Sequence, residues 1–175
     1  ARRVRPDREE LERAAALLAK AQRPLLVAGG GVLYSLAEGV LEQFARRHQI
    51  PVAETQAGKG TLSWDHPQQL GSLGVTGSSA ANALAADADV VLCVGTRLAD
   101  FTSASRTLFA HADVQLIGLN VAAFDAHKHG AVPLVCDAAE GLAELGAALG
   151  DWRAPAALAI RMEEEVARWN CAVEQ

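Results

Sequence analysis

Short runs that are apolar at every position, and that end in glycine or a polar residue, constrain the fold of this chain most. Residues 25–28 are LLVA and lead into three glycines, and residues 90–94 are VVLCV and lead into Gly95. Similar runs predict strands at residues 51–53, 114–120 and 132–137. Strands that are apolar on both faces are typical of a parallel sheet covered by helices on both sides. The sequence therefore predicts a three-layer, doubly wound α/β fold.

Helical periodicity separates these strands. It predicts helices at residues 7–21, 35–47, 78–84, 137–149 and 155–170, and a turn or short helix at 122–128. Asp7 and either Ser78 or Ser79 are candidate N-caps, and Pro155 suits the first position of the last helix. Residues 55–77 show no period and are predicted as a long irregular loop, and loops of that length are usually functional.

Composition narrows the class of protein. The chain has 175 residues and a net charge of −5, which suits one domain with a sizeable core and no nucleic-acid surface. No apolar stretch is long enough for a membrane span or a signal peptide. Three cysteines without CxxC spacing predict reduced thiols in a cytoplasmic protein, with Cys93 and Cys136 in the core. Because the sequence opens at Ala1 without methionine, we expect a piece of a longer protein.

Two glycine-led loops form the candidate binding site. Gly29, Gly30 and Gly31 follow the first strand, and Gly95 and Arg97 follow the strand at residues 90–94. Ligands of open parallel sheets bind beyond the carboxyl ends of the strands, where the strand order reverses. If the order reverses between these two strands, both loops face one crevice. Backbone N–H groups and the Arg97 guanidinium then favour an anion such as a diphosphate.

A nicotinamide dinucleotide site is poorly supported. Gly29 and Gly31 fit the first two glycines of G-x-G-x-x-G, but Tyr34 stands at the third. A tyrosine there is predicted to hold the helix away from the strand. Glu54 ends the next strand and imitates the acidic residue that binds a ribose hydroxyl. The alternative is a tight turn without a ligand.

Other candidate residues leave their roles open. Thr76 precedes a helix, so this segment is either a cap or part of an anion site. Lys59 lies between two glycines and is either a solvated side chain or an amine delivered to an anion. The histidines lack metal-ligand spacing, and no nucleophile, acid and base stand in a recognisable arrangement. The residues alone therefore predict no catalytic group and no metal site.

The order of the motifs is more specific than any one of them. RPLLVAGGGV, IPVAETQAGKGTL, ADVVLCVGTRLADF, LIGLNV and VCDA together resemble the middle domain of thiamine diphosphate-dependent enzymes of the acetolactate synthase type, over residues 7–149. The resemblance implies a six-stranded, Rossmann-like parallel sheet between two thiamine-binding domains. It also implies a middle domain at residues 1–150 and a helix or linker at 151–175 that leads to the diphosphate-binding domain.

In the synthases this domain binds FAD, and the resemblance places such a cofactor, or ADP, in the cleft. The matching positions here are Gly29, Gly30, Gly31, Thr76, Gly95, Arg97, Asn120, Val121 and Asp137. Asn120 stands where the synthases have aspartate, and Thr76 where they have histidine. These two departures count against FAD.

The resemblance also bears on the substrate. Asp100 matches the synthase pattern, whereas Phe101 replaces an arginine that orients a keto-acid. Gln56, Lys59, Asp100 and Phe101 are the expected substrate-entrance residues. The segments at 54–67 and 74–102 look most like a branch that hydrolyses a carbon–carbon bond of a cyclic polyhydroxylated diketone from inositol breakdown. The open alternatives are a synthase-like carboligase, a nucleotide-binding module without catalysis, and a purely structural domain.

The resemblance finally implies where the catalytic parts lie. Thiamine diphosphate and Mg²⁺ are expected in flanking domains of the same chain, so the 175 residues alone are expected to be inactive. The full-length protein is expected to form a dimer or tetramer.

Overall fold

Six strands form one sheet in the computed structural model, which describes residues 2–174. The strands are β1 Pro24–Ala28, β2 Val52–Glu54, β3 Gln69–Ser72, β4 Val90–Val94, β5 Gln115–Asn120 and β6 Val132–Val135. All neighbours pair in parallel, in the order β3-β2-β1-β4-β5-β6. The chain moves outward in one direction from β1 and in the other from β4. The strand order therefore reverses between β1 and β4, which meets the condition for the two glycine-led loops to face one crevice.

Helices cover both faces of the sheet, which confirms the predicted fold class. They are α1 Arg8–Leu18, α2 Gly30–Tyr34, α3 Glu38–His48, α4 Ser79–Asp87, α5 Asp100–Ser103, α6 Ala123–Ala126, α7 Ala138–Leu149 and α8 Ala156–Val173. Short 3-10 turns occur at Gln56–Gly58 and Lys128–Gly130. Helices α1, α3 and α7 pack together, and α4 packs with α8. None of the helices in residues 2–174 is long and apolar enough to cross a membrane.

Three side chains fix where helices begin. Asp7 accepts from the N–H groups of Glu9 and Glu10, and Asp137 does the same at the start of α7. Ser78, rather than Ser79, caps α4, because its hydroxyl accepts from the N–H of Ala81. Each cap satisfies a donor that the first helical turn leaves free.

Three predicted boundaries were wrong. The helix expected at 35–47 begins only at Glu38, because Leu36 adopts a left-handed φ of 51° between α2 and α3. The expected loop at 55–77 contains β3, an edge strand whose residues are mostly half-buried and therefore carry a weak apolar signal. Helix α1 ends at Leu18, not at 21.

The core lies on both sides of β1 and β4, whose residues are all buried. Cys93 and Cys136 are buried as predicted, and Cys171 is exposed. Helix α8 buries Leu158, Met162 and Glu165, so residues beyond 150 contribute to the packed structure. The division into a domain at 1–150 and a linker at 151–175 stays a prediction.

Candidate ligand cleft at the carboxyl edge of the sheet

A cleft of about 530 Å³ opens where the strand order reverses. Its volume lies in the range typical of small-molecule sites. The segments that follow β1, β2, β4, β5 and β6 form its walls. The lining residues include Gly30, Gly31, Tyr34, Gln56, Gly95, Thr96, Arg97, Phe101, Asn120, Val121, Asp125 and Cys136. The crevice predicted from the two glycine-led loops is therefore present.

A junction of three glycines lies at the base of this cleft, and two of them, Gly31 and Gly95, line it. Gly29 and Gly31, after β1, contact Gly95, after β4. A Cβ on Gly31 would lie 2.6 Å from the Cα of Gly95, and a Cβ on Gly29 would lie 2.5 Å from the Gly95 oxygen. Gly95 also has a φ of +60°, a conformation that costs other residues free energy. These three positions therefore require glycine for reasons of packing.

Two backbone N–H groups of the glycine junction donate hydrogen bonds within the junction itself. The N–H of Gly29 donates to Val94 O at 2.8 Å, and the N–H of Gly31 donates to Gly95 O at 2.9 Å. The expectation that these glycines offer free N–H groups to a phosphate was therefore wrong for two of the three. Their donors join the first loop to the second.

Two residues that bear on the dinucleotide pattern have other roles: Tyr34, which interrupts it, and Glu54, which imitates its acidic residue. Tyr34 is 90% exposed at the lip of the cleft, so it does not hold α2 away from the sheet. Glu54 is buried and its Oε1 accepts three hydrogen bonds, from Gly60 N, Thr61 Oγ1 and Leu62 N, at 3.0–3.1 Å. Its carboxylate therefore anchors the loop that follows β2.

Two cleft residues differ in how strongly they are held. Arg97 is exposed at the cleft wall, where its guanidinium meets solvent. Asn120 is fixed: its Nδ2 donates to Thr96 O at 3.2 Å, and its Oδ1 accepts from Ala122 N at 3.0 Å. Asn120 therefore ties the loop after β4 to the loop after β5, whereas Arg97 keeps donors for a ligand.

Of the expected entrance residues, Gln56 and Phe101 line the cleft, with Phe101 45% exposed. Lys59 and Asp100 are exposed but do not line it, and neither does Thr76. Lys59 extends from the loop that Glu54 anchors, and Asp100 begins α5.

Asp137 has a structural role beside the cleft. It caps α7 and pairs with Arg3 Nη1 at 2.6 Å. Burial acts to raise the pKa of this carboxyl, but hydrogen bonds from Arg3 and Ser35 outweigh it and hold the pKa below its usual range. The Asp137 carboxylate therefore stays ionised, and its hydrogen bonds are used to cap α7 and to bind Arg3.

Sequence reasoning missed Thr96, Asp125 and Cys136 as cleft residues. All three follow the carboxyl end of a strand, so the rule that located the glycines would also have found them. Burial raises the pKa of the Cys136 thiol to about 12, which keeps it protonated and unreactive. No group of three or more His, Cys, Asp or Glu among residues 2–174 is arranged to hold a metal ion.

The sequence also matches a known family of domains. Residues 11–145 match the family described as thiamine pyrophosphate enzyme, central domain. The chain therefore belongs to the central domains of thiamine pyrophosphate enzymes, and the predicted resemblance is confirmed.

Several relatives share one name, 3D-(3,5/4)-trihydroxycyclohexane-1,2-dione hydrolase. The one from Geobacillus thermodenitrificans is 44% identical over 173 residues, which is 99% of this chain and 26% of that protein. The one from Clostridium tetani is 43% identical over 140 residues, 80% of this chain and 22% of that protein. The chain thus spans about a quarter of the length of these relatives.

Proposed function

We propose that this chain is the central domain of a thiamine diphosphate- and Mg²⁺-dependent hydrolase that opens the ring of trihydroxycyclohexane-1,2-dione to 5-deoxy-glucuronate, in the breakdown of inositol. The observation that carries the proposal is the 44% identity to a hydrolase of that name across 99% of this chain. The phenylalanine at position 101 of the cleft wall supports the same substrate class.

The proposal divides the work between this chain and the rest of a longer polypeptide. Thiamine diphosphate, held with Mg²⁺ by other domains, supplies a nucleophilic carbon for attack on a carbonyl. No residue of this chain is assigned a catalytic role, so the 175 residues alone are expected to be inactive. The central domain spaces the other two domains and borders the substrate entrance through Gln56, Lys59, Asp100 and Phe101. The complete enzyme is proposed to be a cytoplasmic dimer or tetramer.

Phe101 bears on which substrates the entrance accepts. An arginine binds a carboxylate through two parallel hydrogen bonds, whereas a phenyl ring has no donor. A half-exposed phenyl ring at the cleft wall therefore suits a neutral polyhydroxylated diketone better than a second keto-acid. This argument weighs against the alternative of an acetolactate synthase-like carboligase.

Assays of the full-length enzyme test the proposal. With thiamine diphosphate and Mg²⁺, we expect ring opening of the diketone and no condensation of pyruvate to acetolactate. The 175-residue chain, as the matched control, is expected to show neither reaction. Acetolactate formation without diketone hydrolysis would contradict the proposal and favour the carboligase.

A nucleotide-binding role for the cleft is a second candidate, favoured by the cleft volume and the exposed Arg97. Calorimetric titration of the chain with ADP, FAD and NAD tests it. If a diphosphate binds there, Arg97→Ala weakens binding by at least tenfold, whereas Arg106→Ala, outside this cleft, leaves it unchanged. If none of the three nucleotides binds, the nucleotide-binding role is refuted, and the chain acts only as a spacer between the other domains.

A further inference from the structure

A second, smaller cavity shares no lining residue with the cleft. Its volume is about 210 Å³, below the roughly 300–1,000 Å³ of sites for drug-sized ligands, so it suits a small molecule. Residues 103–109, the start of β5 and the turn before β6 surround it. We call it the side cavity, and its polar lining residues are Ser103, Arg106, Gln115 and His129.

The backbone around the side cavity is strained. Seven non-glycine residues in the part of the chain that the structure describes have a left-handed φ, and five of them lie in residues 98–106 and at 129. Three are consecutive: Ala104, Ser105 and Arg106, with φ of 46°, 53° and 71°. These values are unfavourable for any residue but glycine. Such strain persists where the rest of the structure enforces it, most often at binding sites.

Hydrogen bonds hold the strained segment and position Arg106. The Ser103 hydroxyl is buried; it accepts from the N–H of Arg106 at 3.1 Å and donates to Ala99 O at 3.2 Å. The N–H of Ser105 donates to Asp100 O at 2.7 Å. The left-handed turn is therefore held by its own backbone and by one buried side chain, and the Arg106 side chain takes no part in it.

Two polar side chains of the side cavity keep hydrogen-bonding capacity for a ligand. Within residues 2–174, the Arg106 guanidinium forms neither a hydrogen bond nor a salt bridge. His129 Nε2 lies 3.3 Å from Leu98 O and donates to it, because a carbonyl oxygen can only accept. The other ring nitrogen, Nδ1, is then an acceptor. The cavity therefore combines an unpaired cation with a neutral acceptor.

These groups favour a short hydroxy acid. A guanidinium binds a carboxylate through two parallel hydrogen bonds. A hydroxyl of the same ligand can donate to His129 Nδ1, and its carbon chain can contact Phe109, Val114 and Leu116. An inorganic phosphate would leave this apolar wall uncovered. Among the described residues no aspartate or glutamate lines the cavity, so a cation lacks ligands there.

We propose that the side cavity binds a short hydroxy acid, with its carboxylate on Arg106 and a hydroxyl on His129. The strained backbone at 104–106 is retained because it places the guanidinium at the cavity wall. A nucleotide is too large for this cavity. The inference does not depend on the proposed function, although the carboxylate product of that reaction belongs to the same chemical class.

Titration of the 175-residue chain with glucuronate at constant ionic strength, followed by amide NMR spectra, tests the proposal. Glucuronate carries one carboxylate on a hydroxylated carbon chain. We expect a dissociation constant of about 1 mM. The N–H signals of Arg106, Gln115 and His129 should shift, whereas those of Gly31 and Gly95 in the cleft should not.

Three comparison ligands each remove one feature of glucuronate. Inorganic phosphate lacks the carbon chain, myo-inositol lacks the charge, and hexanoate lacks the hydroxyl groups. We expect each to bind at least tenfold more weakly, because each leaves one part of the cavity without its contact.

Arg106→Gly separates binding from structure. Glycine favours a φ of 71°, so this variant should fold, unfold at a higher urea concentration and bind glucuronate at least tenfold more weakly. Ser105→Gly is the matched control, since Ser105 has a φ of 53°, is exposed and does not line the side cavity. It should also unfold at a higher urea concentration, but bind glucuronate to within about twofold of the original chain.

Three results would overturn the proposal. No saturation by glucuronate at about ten times the expected constant means that the site does not exist. Equally tight binding of any comparison ligand refutes the hydroxy-acid class. Shifts at Gly31 and Gly95, with binding unchanged in Arg106→Gly, place the ligand in the cleft instead. None of these results bears on diketone hydrolysis, which is assayed separately on the full-length enzyme.

Discussion

Replacing Gly95 by alanine separates backbone conformation from close packing at the glycine junction. The left-handed backbone, with φ of +60°, costs alanine about 1–2 kcal/mol more than glycine. The new Cβ would also lie 2.6 Å from the Cα of Gly31 and 2.8 Å from its carbonyl carbon. Because these are backbone atoms, the loops after β1 and β4 must separate, which adds about 1–3 kcal/mol. We expect Gly95→Ala to lower the free energy of unfolding by about 2–5 kcal/mol.

Two further alanine variants isolate the two contributions. Gly31→Ala has the close contact with Gly95 without a left-handed φ, and we expect a loss of about 1–3 kcal/mol. Gly130→Ala has a φ of +72° and nothing within 4 Å of the new Cβ, so a loss of only about 1–2 kcal/mol is expected. Urea unfolding of the chain, followed by circular dichroism and by tryptophan fluorescence, gives all three values.

The packing explanation is tested by comparing the losses in free energy of unfolding caused by Gly95→Ala and by Gly130→Ala. If both variants lose the same free energy to within about 0.5 kcal/mol, contact between the two loops adds nothing. The packing explanation of the glycine junction would then be refuted, and only the left-handed backbone would require glycine.

Three other predictions use the same unfolding assay. Glu54→Ala leaves three donors of the following loop without their acceptor, so the free energy of unfolding should fall by about 2–4 kcal/mol. Glu54→Gln keeps an acceptor and should cost only about 1 kcal/mol. Equal losses in the two variants would contradict the role of Glu54 as an anchor. Burial lowers the pKa of His48, so below about pH 6.5 the unfolded chain binds a proton that the folded chain resists. Stability should therefore fall from about pH 7.5 to about pH 5.5, and less steeply in His48→Asn; an unchanged slope would exclude His48 as a cause. Leu36→Gly and Gln49→Gly each place glycine at a left-handed φ, so each should stabilise the isolated chain by about 1 kcal/mol. If Leu36→Gly instead destabilises the chain, the leucine side chain already makes stabilising contacts within it.

Local patterns predicted the parts of this fold that depend on local interactions. The runs at 25–28 and 90–94 are apolar at each position because both faces are buried, and β1 and β4 lie there. Asp7 and Asp137 cap helices as their side-chain chemistry predicts. The glycine-led loops that follow these two strands predicted the position of the cleft, because the strand order reverses between β1 and β4.

Features that depend on tertiary contacts escaped prediction. Strand β3 is short and mostly half-buried at the sheet edge, so it lacks an apolar run. The break at Leu36 needs a left-handed leucine, which no local preference favours. Glu54 resembled a ribose ligand by position, and only its burial and three donors reveal an anchor. The roles of the cleft residues toward a ligand stay predictions.

The glycine junction has a consequence for how the cleft can vary. Contact between two backbones leaves no side chain that could shorten or lengthen the gap between β1 and β4. The width of the cleft at its base therefore changes only when one of these glycines is replaced and the new side chain forces the two loops apart. Adaptation to a different ligand must come from the walls, at positions such as Gln56, Arg97 and Phe101. For redesign, the base is a fixed dimension and these three side chains are the adjustable ones.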